Sequence, residues 1–175
     1  MNIVTVALLA SLAALPVRAE KSWLIACVEQ DKAAHQIAEA VAVAERIFSA
    51  IGISIHWQRP LGACPPEGIQ IRLADRVPPE TGRNVLGVSL PYQGRVDLYY
   101  RRIAGKYQPY MVGTVMGHVL AHEIAHSLQG INRHSATGVM SAHWQRADFV
   151  LMLRQQLCFT ARDVDLIYEG LKRRQ

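Results

Sequence analysis

His122 and His126 stand four residues apart in the stretch His122-Glu123-Ile124-Ala125-His126. On a helix this spacing places both imidazoles on one face, one turn apart. Each nitrogen can then lie about 2 Å from a shared metal ion, as a zinc site requires. Glu123 projects about 100° round the helix from His122 and about 60° from His126. From there its carboxylate can reach a metal-bound water without being a ligand, the place of a general base in metal-assisted hydrolysis. In a chain with seven histidines such a pattern arises by chance in roughly one case in a hundred, so its surroundings matter.

Five of the seven histidines, 118, 122, 126, 134 and 143, fall within 26 residues. Gly130 offers a left-handed helix cap just after the pair. His134 follows where a returning loop can supply a third ligand, and Gly138-Val139-Met140 reads as a tight turn ending in methionine. His143 and Asp148 are rivals for the third position; Asp148 lies 22 residues past His126. His118, one turn before His122, reads as a packed or supporting histidine. Three neutral protein ligands would leave a fourth zinc position open to water, whose pKa can fall to about 7.

These residues need a helix beneath them and a sheet beside it. Tyr110 to Gln129 is expected to be one long helix. Before it, Ser22 to Glu29 reads as a buried strand, and Lys32 to Ala50 as a helix with Asp31 at its N-cap and Gly52 as its stop. Ile53 to Gln58, Ile69 to Ala74, Asn84 to Leu90 and Arg95 to Arg101 read as further strands. In the last of these, Val96, Leu98 and Tyr100 would share one face. Arg146 to Gln156 and Thr160 to Arg173 are expected as closing helices, with Thr160 as an N-cap. The order of strand, helix, strands and helices fits an α+β domain with a twisted sheet packed on helices. No repeat or long linker divides it.

At this point the chain resembles the metzincin branch of zinc metallopeptidases, whose pattern is HExxHxxGxxH followed by a methionine-bearing turn. His122, Glu123, His126, Gly130, His134 and Met140 carry the resemblance. Gly130 comes one residue late and His134 two residues late, which a slightly longer helix or loop explains. No tyrosine stands two residues after Met140, so the extra tyrosine ligand of some members is not matched. The resemblance implies a zincin-like fold of mixed sheet, active-site helix and C-terminal helices. It also implies one Zn²⁺ held by His122, His126 and His134, with Glu123 as catalytic base and Met140 as an apolar floor. The strand from Arg95 to Arg101 would then hold an extended peptide by edge pairing, unless it is an ordinary sheet edge blunted by its arginines.

Residues 1 to 19 read as an export signal. Ile3 to Leu15 is an unbroken run of thirteen apolar and small residues, and Val17-Arg18-Ala19 suits cleavage before Glu20. The run is too short to span a bilayer, so no permanent membrane anchor is expected. No Lys or Arg precedes it, which is off-pattern. The mature chain, residues 20 to 175, would carry a net charge of +4 against +5 for the whole. Much of that excess is terminal (Lys172, Arg173, Arg174), and no basic and aromatic run marks a nucleic-acid groove. A mature chain of residues 20 to 175 would leave no room for a pro-domain beside a catalytic fold, so none is expected. Cys27, Cys64 and Cys158 form no CxxC, so one disulfide and one free thiol are expected in an oxidising compartment, the pairing unassigned. A free Cys27 could cap the zinc as a latency device, although a buried or bridged one is the plainer reading. Taken together, the sequence predicts a secreted or periplasmic zinc endopeptidase acting on a peptide or protein substrate. The alternatives are a non-catalytic zinc-binding interaction module, or a zinc amidase acting on a non-peptide amide such as a cell-wall crosslink.

Overall fold

The computed structural model describes residues 22–29, 34–58 and 64–174. The expected leader, 1 to 19, and the expected N-cap Asp31 lie outside the described residues. Strand β1 (Ser22–Val28) feeds helix α1 (Ala34–Ser49), which returns the chain to β2 (Ile53–Gln58) in parallel with β1. Parallel pairing demands such a crossover, because a tight hairpin cannot reverse the chain twice. α1 buries Ile37, Ala40, Val43, Ala44, Ile47 and Phe48, spaced three and four apart, so one stripe faces the core. β3 (Ile69–Leu73) joins the other side of β1, also parallel. β5 (Arg95–Leu98) pairs with β3 in parallel, and β4 (Gly87–Leu90) closes the sheet antiparallel to β5. The spatial order is β2-β1-β3-β5-β4. A single 3-10 turn, Pro91–Gln93, joins β4 to β5.

Two expectations are corrected here. The strand expected over Arg95 to Arg101 ends at Leu98, and Tyr100–Lys106 forms a short helix, α2. Tyr99, Ile103 and Tyr107 recur at helical spacing, and Ile103 is fully buried, so packing of this stripe overrides the strand-like alternation before it. The same strand is not an edge: β5 lies between β3 and β4, and its outward-facing Asp97 is buried too. There Asp97 accepts two 3.0 Å hydrogen bonds from Arg72 and an ion pair from Arg95 at 3.2 Å. The free edge on this side belongs to β4.

Helix α3 (Pro109–Gln129) crosses the sheet and packs against α1, β4 and β5. From Val115 to Gln129 it is buried all round, and Val115, Met116, Leu120, Ala121, Ile124 and Ala125 have no exposed surface. α4 (Arg146–Arg154) and α5 (Ala161–Lys172) cover its remaining sides. Truncating one such core side chain to alanine costs about 2–5 kcal/mol. A disulfide joins Cys27 on β1 to Cys64 ahead of β3, and Cys158 is free and exposed. Cys27 is thus committed to the bridge, which removes the latency role considered for it. Among the described residues no helix is long and apolar enough to cross a membrane.

Candidate metal centre

α3 carries His122, Glu123 and His126 into the core at its C-terminal end. Gly130 then ends the helix at φ 68°, with its N–H bonded to the His126 carbonyl at 2.9 Å. This is the left-handed cap expected of it. The turn sends the chain back over the helix and brings His134 to the pair. His126 Nε2 lies 3.0 Å from His122 Nε2 and 3.3 Å from His134 Nε2, and all three nitrogens fall within 4.8 Å of one another.

These close approaches are not mutual hydrogen bonds. His122 Nδ1–H donates to the Val139 carbonyl at 2.8 Å, and His126 Nδ1–H to the Ile131 carbonyl at 3.2 Å. Both Nε2 atoms are therefore lone-pair acceptors facing each other, an arrangement that needs a cation between them. Two nitrogens each about 2 Å from a tetrahedral zinc are about 3.3 Å apart, close to the spacing found. The carbonyls of Val139 and Ile131 supply the outer hydrogen bonds that fix tautomer and ring orientation in metal sites. Burial, the largest influence, pushes His122 and His126 down to about 4, and it lowers His134 as well. The three imidazoles are neutral at physiological pH, the form a metal ion takes, and the residues fit the group.

Glu123, one residue after His122, packs against β4. Burial pushes its carboxyl up to about 8, partly offset by the Ser89 main-chain N–H that donates to it. The register explains that donor. Tyr99 N–H bonds to the Leu86 carbonyl at 2.9 Å and Gly87 lies opposite Leu98, so the main chain of Gly87 and Ser89 points away from β5. A side chain at Gly87 would meet Val119 Cγ1 at 2.9 Å and Glu123 Cγ at 3.1 Å. Glycine there lets β4 approach the helix closely enough to reach the carboxylate.

Of the rivals for the third ligand, Asp148 caps α4, accepting the Gln145 N–H at 2.7 Å. His143 is exposed and lies outside the converging group. His118 is fully buried between the Thr114 carbonyl, 2.8 Å from Nδ1, and the Leu157 N–H, 3.2 Å from Nε2, the supporting place expected of it. Met140 is fully buried in the turn after His134, where its carbonyl accepts the Ser135 N–H at 2.8 Å.

One residue was not singled out in the sequence. Asp163, fully buried at the start of α5, accepts from Arg133 at 2.8 Å and from Ser135 Oγ at 2.7 Å, the two neighbours of His134. Thr160 adds its main-chain N–H at 3.0 Å and its hydroxyl at 2.6 Å. Burial alone would raise the Asp163 carboxyl, but these donors together hold it below the usual carboxylate range. The loop that is two residues longer than the metzincin spacing is thus clamped on both sides of its histidine. Thr160-Ala161-Arg162-Asp163 is legible as a capping box; its grip on residues 133 and 135 is not.

A cleft of about 690 Å³ opens beside His122 and His134, walled by Val85, Leu86, Tyr107, Val119, Trp144 and Phe149. Trp144 is fixed by its indole N–H, which donates to the Gly138 carbonyl at 3.1 Å.

No protein-family model matches the chain, and no curated protein matches it. Among solved structures it is similar to the crystal structure of archaemetzincin from Methanopyrus kandleri, with a TM-score of 0.60 and 16% identity over 90% of this chain and 99% of that one. At that identity the likeness concerns the fold: this α+β chain, with a mixed five-stranded sheet and five helices among the described residues, has the fold of archaemetzincin.

Proposed function

We propose that the protein is a zinc-dependent endopeptidase that acts outside the cytoplasm. The observation that carries the reading is the convergence of three neutral histidine nitrogens, two of them on residues that line an open cleft, with a buried glutamate next to His122 on the same helix. His122, His126 and His134 would hold one zinc ion. A zinc ion held there would supply Lewis acidity toward a substrate carbonyl and an attacking water. Glu123 takes the proton of that water and delivers it to the departing amine. Its carboxyl holds a proton readily in the buried site and ionises when positive charge stands beside it, the behaviour required of an acid and base near neutral pH. The Ser89 N–H aims it. Met140, fully buried in the turn after His134, would form the apolar floor of the site, and Val139 orients His122. The outward main chain of β4 offers an extended peptide a strand to pair with. The archaemetzincin fold supports the same reading. The Cys27–Cys64 disulfide agrees with an oxidising compartment and hence with an export signal over residues 1 to 19.

The test is to express residues 20 to 175, measure bound zinc by elemental analysis, and follow cleavage of an unfolded protein such as casein. The expected result is about one zinc per chain, cleavage by the wild type, retained zinc without cleavage in Glu123→Gln, and loss of zinc in His134→Ala. A chain that binds zinc but cuts no peptide would refute the peptidase reading, and absence of zinc would overturn the whole site.

A further inference from the structure

The lining of the cleft next to the histidines combines apolar and cationic residues. Its apolar and aromatic part comprises Val85, Leu86, Tyr107, Val119, Trp144 and Phe149. Trp144 and Phe149 stand edge to face with centroids 6.5 Å apart, and Tyr107 packs on Phe149 at 5.3 Å, so the aromatic wall is a preformed unit. The apolar lining suits a bulky apolar side chain, and about 690 Å³ leaves room for the residues next to it as well.

The charged residues of the lining are cationic: Arg83 and Lys106 line the cleft, and no aspartate or glutamate does. Lys106 is steadied by Asn84 Oδ1 at 3.3 Å, a neutral partner that leaves its charge uncompensated. Arg102 donates to the carbonyls of Gly82 and Val85, both at 2.7 Å, and so pins the two ends of the segment that displays Arg83. Asp148, beside Phe149 in sequence, is engaged as the cap of α4, accepting the Gln145 N–H. The segment that carries Arg83 is thus held in place along the cleft.

We propose that the preferred substrates are peptides with a bulky apolar residue at the cleaved bond and a carboxylate one or two residues beyond it, the apolar side chain entering the cleft and the carboxylate meeting Arg83 and Lys106. This rests on the peptidase reading above and names its substrate class. A glutamate or aspartate side chain and a free C-terminus share the chemistry that Arg83 and Lys106 recognise. A lysine there would meet like charge, which opposes binding as strongly as the carboxylate favours it.

Quenched fluorogenic peptides with leucine or phenylalanine at the cleaved bond separate the sources. One series carries Glu, Gln or Lys in the following positions; the other ends in a free carboxylate or an amide. Wild-type zinc protein is expected to favour the carboxylate peptides over their lysine counterparts by roughly tenfold in kcat/KM, mostly through KM. The Arg83→Glu/Lys106→Glu double variant should reverse that order. Both side chains are exposed, and unchanged zinc content and circular dichroism in the variant would exclude a folding effect. Equal rates on the Glu and Lys peptides, or a preference untouched by the double reversal, would overturn the proposal while leaving the peptidase reading intact. Should no peptide be cut, calorimetric binding of the same series to zinc-loaded Glu123→Gln decides it separately. Carboxylate-selective binding upholds the recognition although hydrolysis fails; indifferent binding ends it.

Discussion

Asp163→Ala tests whether α5 positions the third histidine or merely packs behind it. The substitution deletes an acceptor of two hydrogen bonds from Ser135 and Thr160 hydroxyls, one from the Thr160 N–H and an ion pair with Arg133. Bonds to a buried ionised acceptor contribute about 1.5–3 kcal/mol each. The Arg133 side chain, however, is 36% exposed, so water compensates it and its ion pair is discounted. The freed hydroxyls can also turn to other partners. A net loss of about 3 kcal/mol in the metal-free chain follows. A domain of ordinary stability, about 5–15 kcal/mol, survives that loss and remains folded at 25 °C. The distinguishing quantity is zinc affinity. If the clamp sets where His134 sits, its removal weakens zinc by about 10–100-fold, as loss of an outer-shell partner does. Urea unfolding of the metal-free protein and competition with a chelating dye would measure the two effects, with Asp163→Asn retaining the shape without the charge. Unchanged zinc affinity in a chain destabilised by the expected amount would refute the positioning argument and leave Asp163 a purely structural residue.

Gly87→Ala should retain zinc yet lose most cleavage, because the added methyl group meets Val119 and Glu123 and must push the carboxylate or β4 aside; zinc content and kcat read together would show it, and full activity would contradict the close approach. Cys64→Ser opens a loop of 37 residues, whose closure stabilises by about 4 kcal/mol in the chain-entropy treatment, so a large fall in urea midpoint is expected and should be matched by reduction of the wild type. The metal-free chain should also show a stability optimum near pH 6.5. His122 and His126, lowered from 6.5 to about 4, contribute stability that is complete above about 6.5 and lost as pH falls through about 4. Glu123, raised from 4.5 to about 8, contributes stability that is complete below about 4.5 and lost as pH rises through about 8. Two histidines outweigh one glutamate below the optimum, and the glutamate alone acts above it. Urea melts from pH 5 to 9 should therefore lose their alkaline decline in Glu123→Gln, and a decline that persists would place its origin elsewhere.

Local periodicity made much of this molecule legible. The 3.6-residue repeat placed His122 and His126 on one face, and Gly130 marked the helix end because few other residues accept a positive φ. Thr160 marked its helix for a similar short-range reason, satisfaction of the first free N–H groups. Such features depend on residues within one turn of each other. The choice of His134 over His143 and Asp148 was weighed from spacing, yet it took the folded loop to bring one ring to the pair and leave the others outside. The pairing of Cys27 with Cys64, the identity of the edge strand and the helix at Tyr100 lay beyond sequence spacing. Each depends on which distant segments come to lie side by side, and strand order follows from how the whole sheet is covered. The same holds for chemistry. A glutamate after a histidine announces a possible base, but its proton affinity is set by burial and by the Ser89 N–H across the β4 edge. The sequence by itself determined which residues could take part. Only the tertiary structure decided their protonation, their neighbours and the cleft they share, because desolvation and long-range hydrogen bonds arise only when remote parts of the chain are brought together.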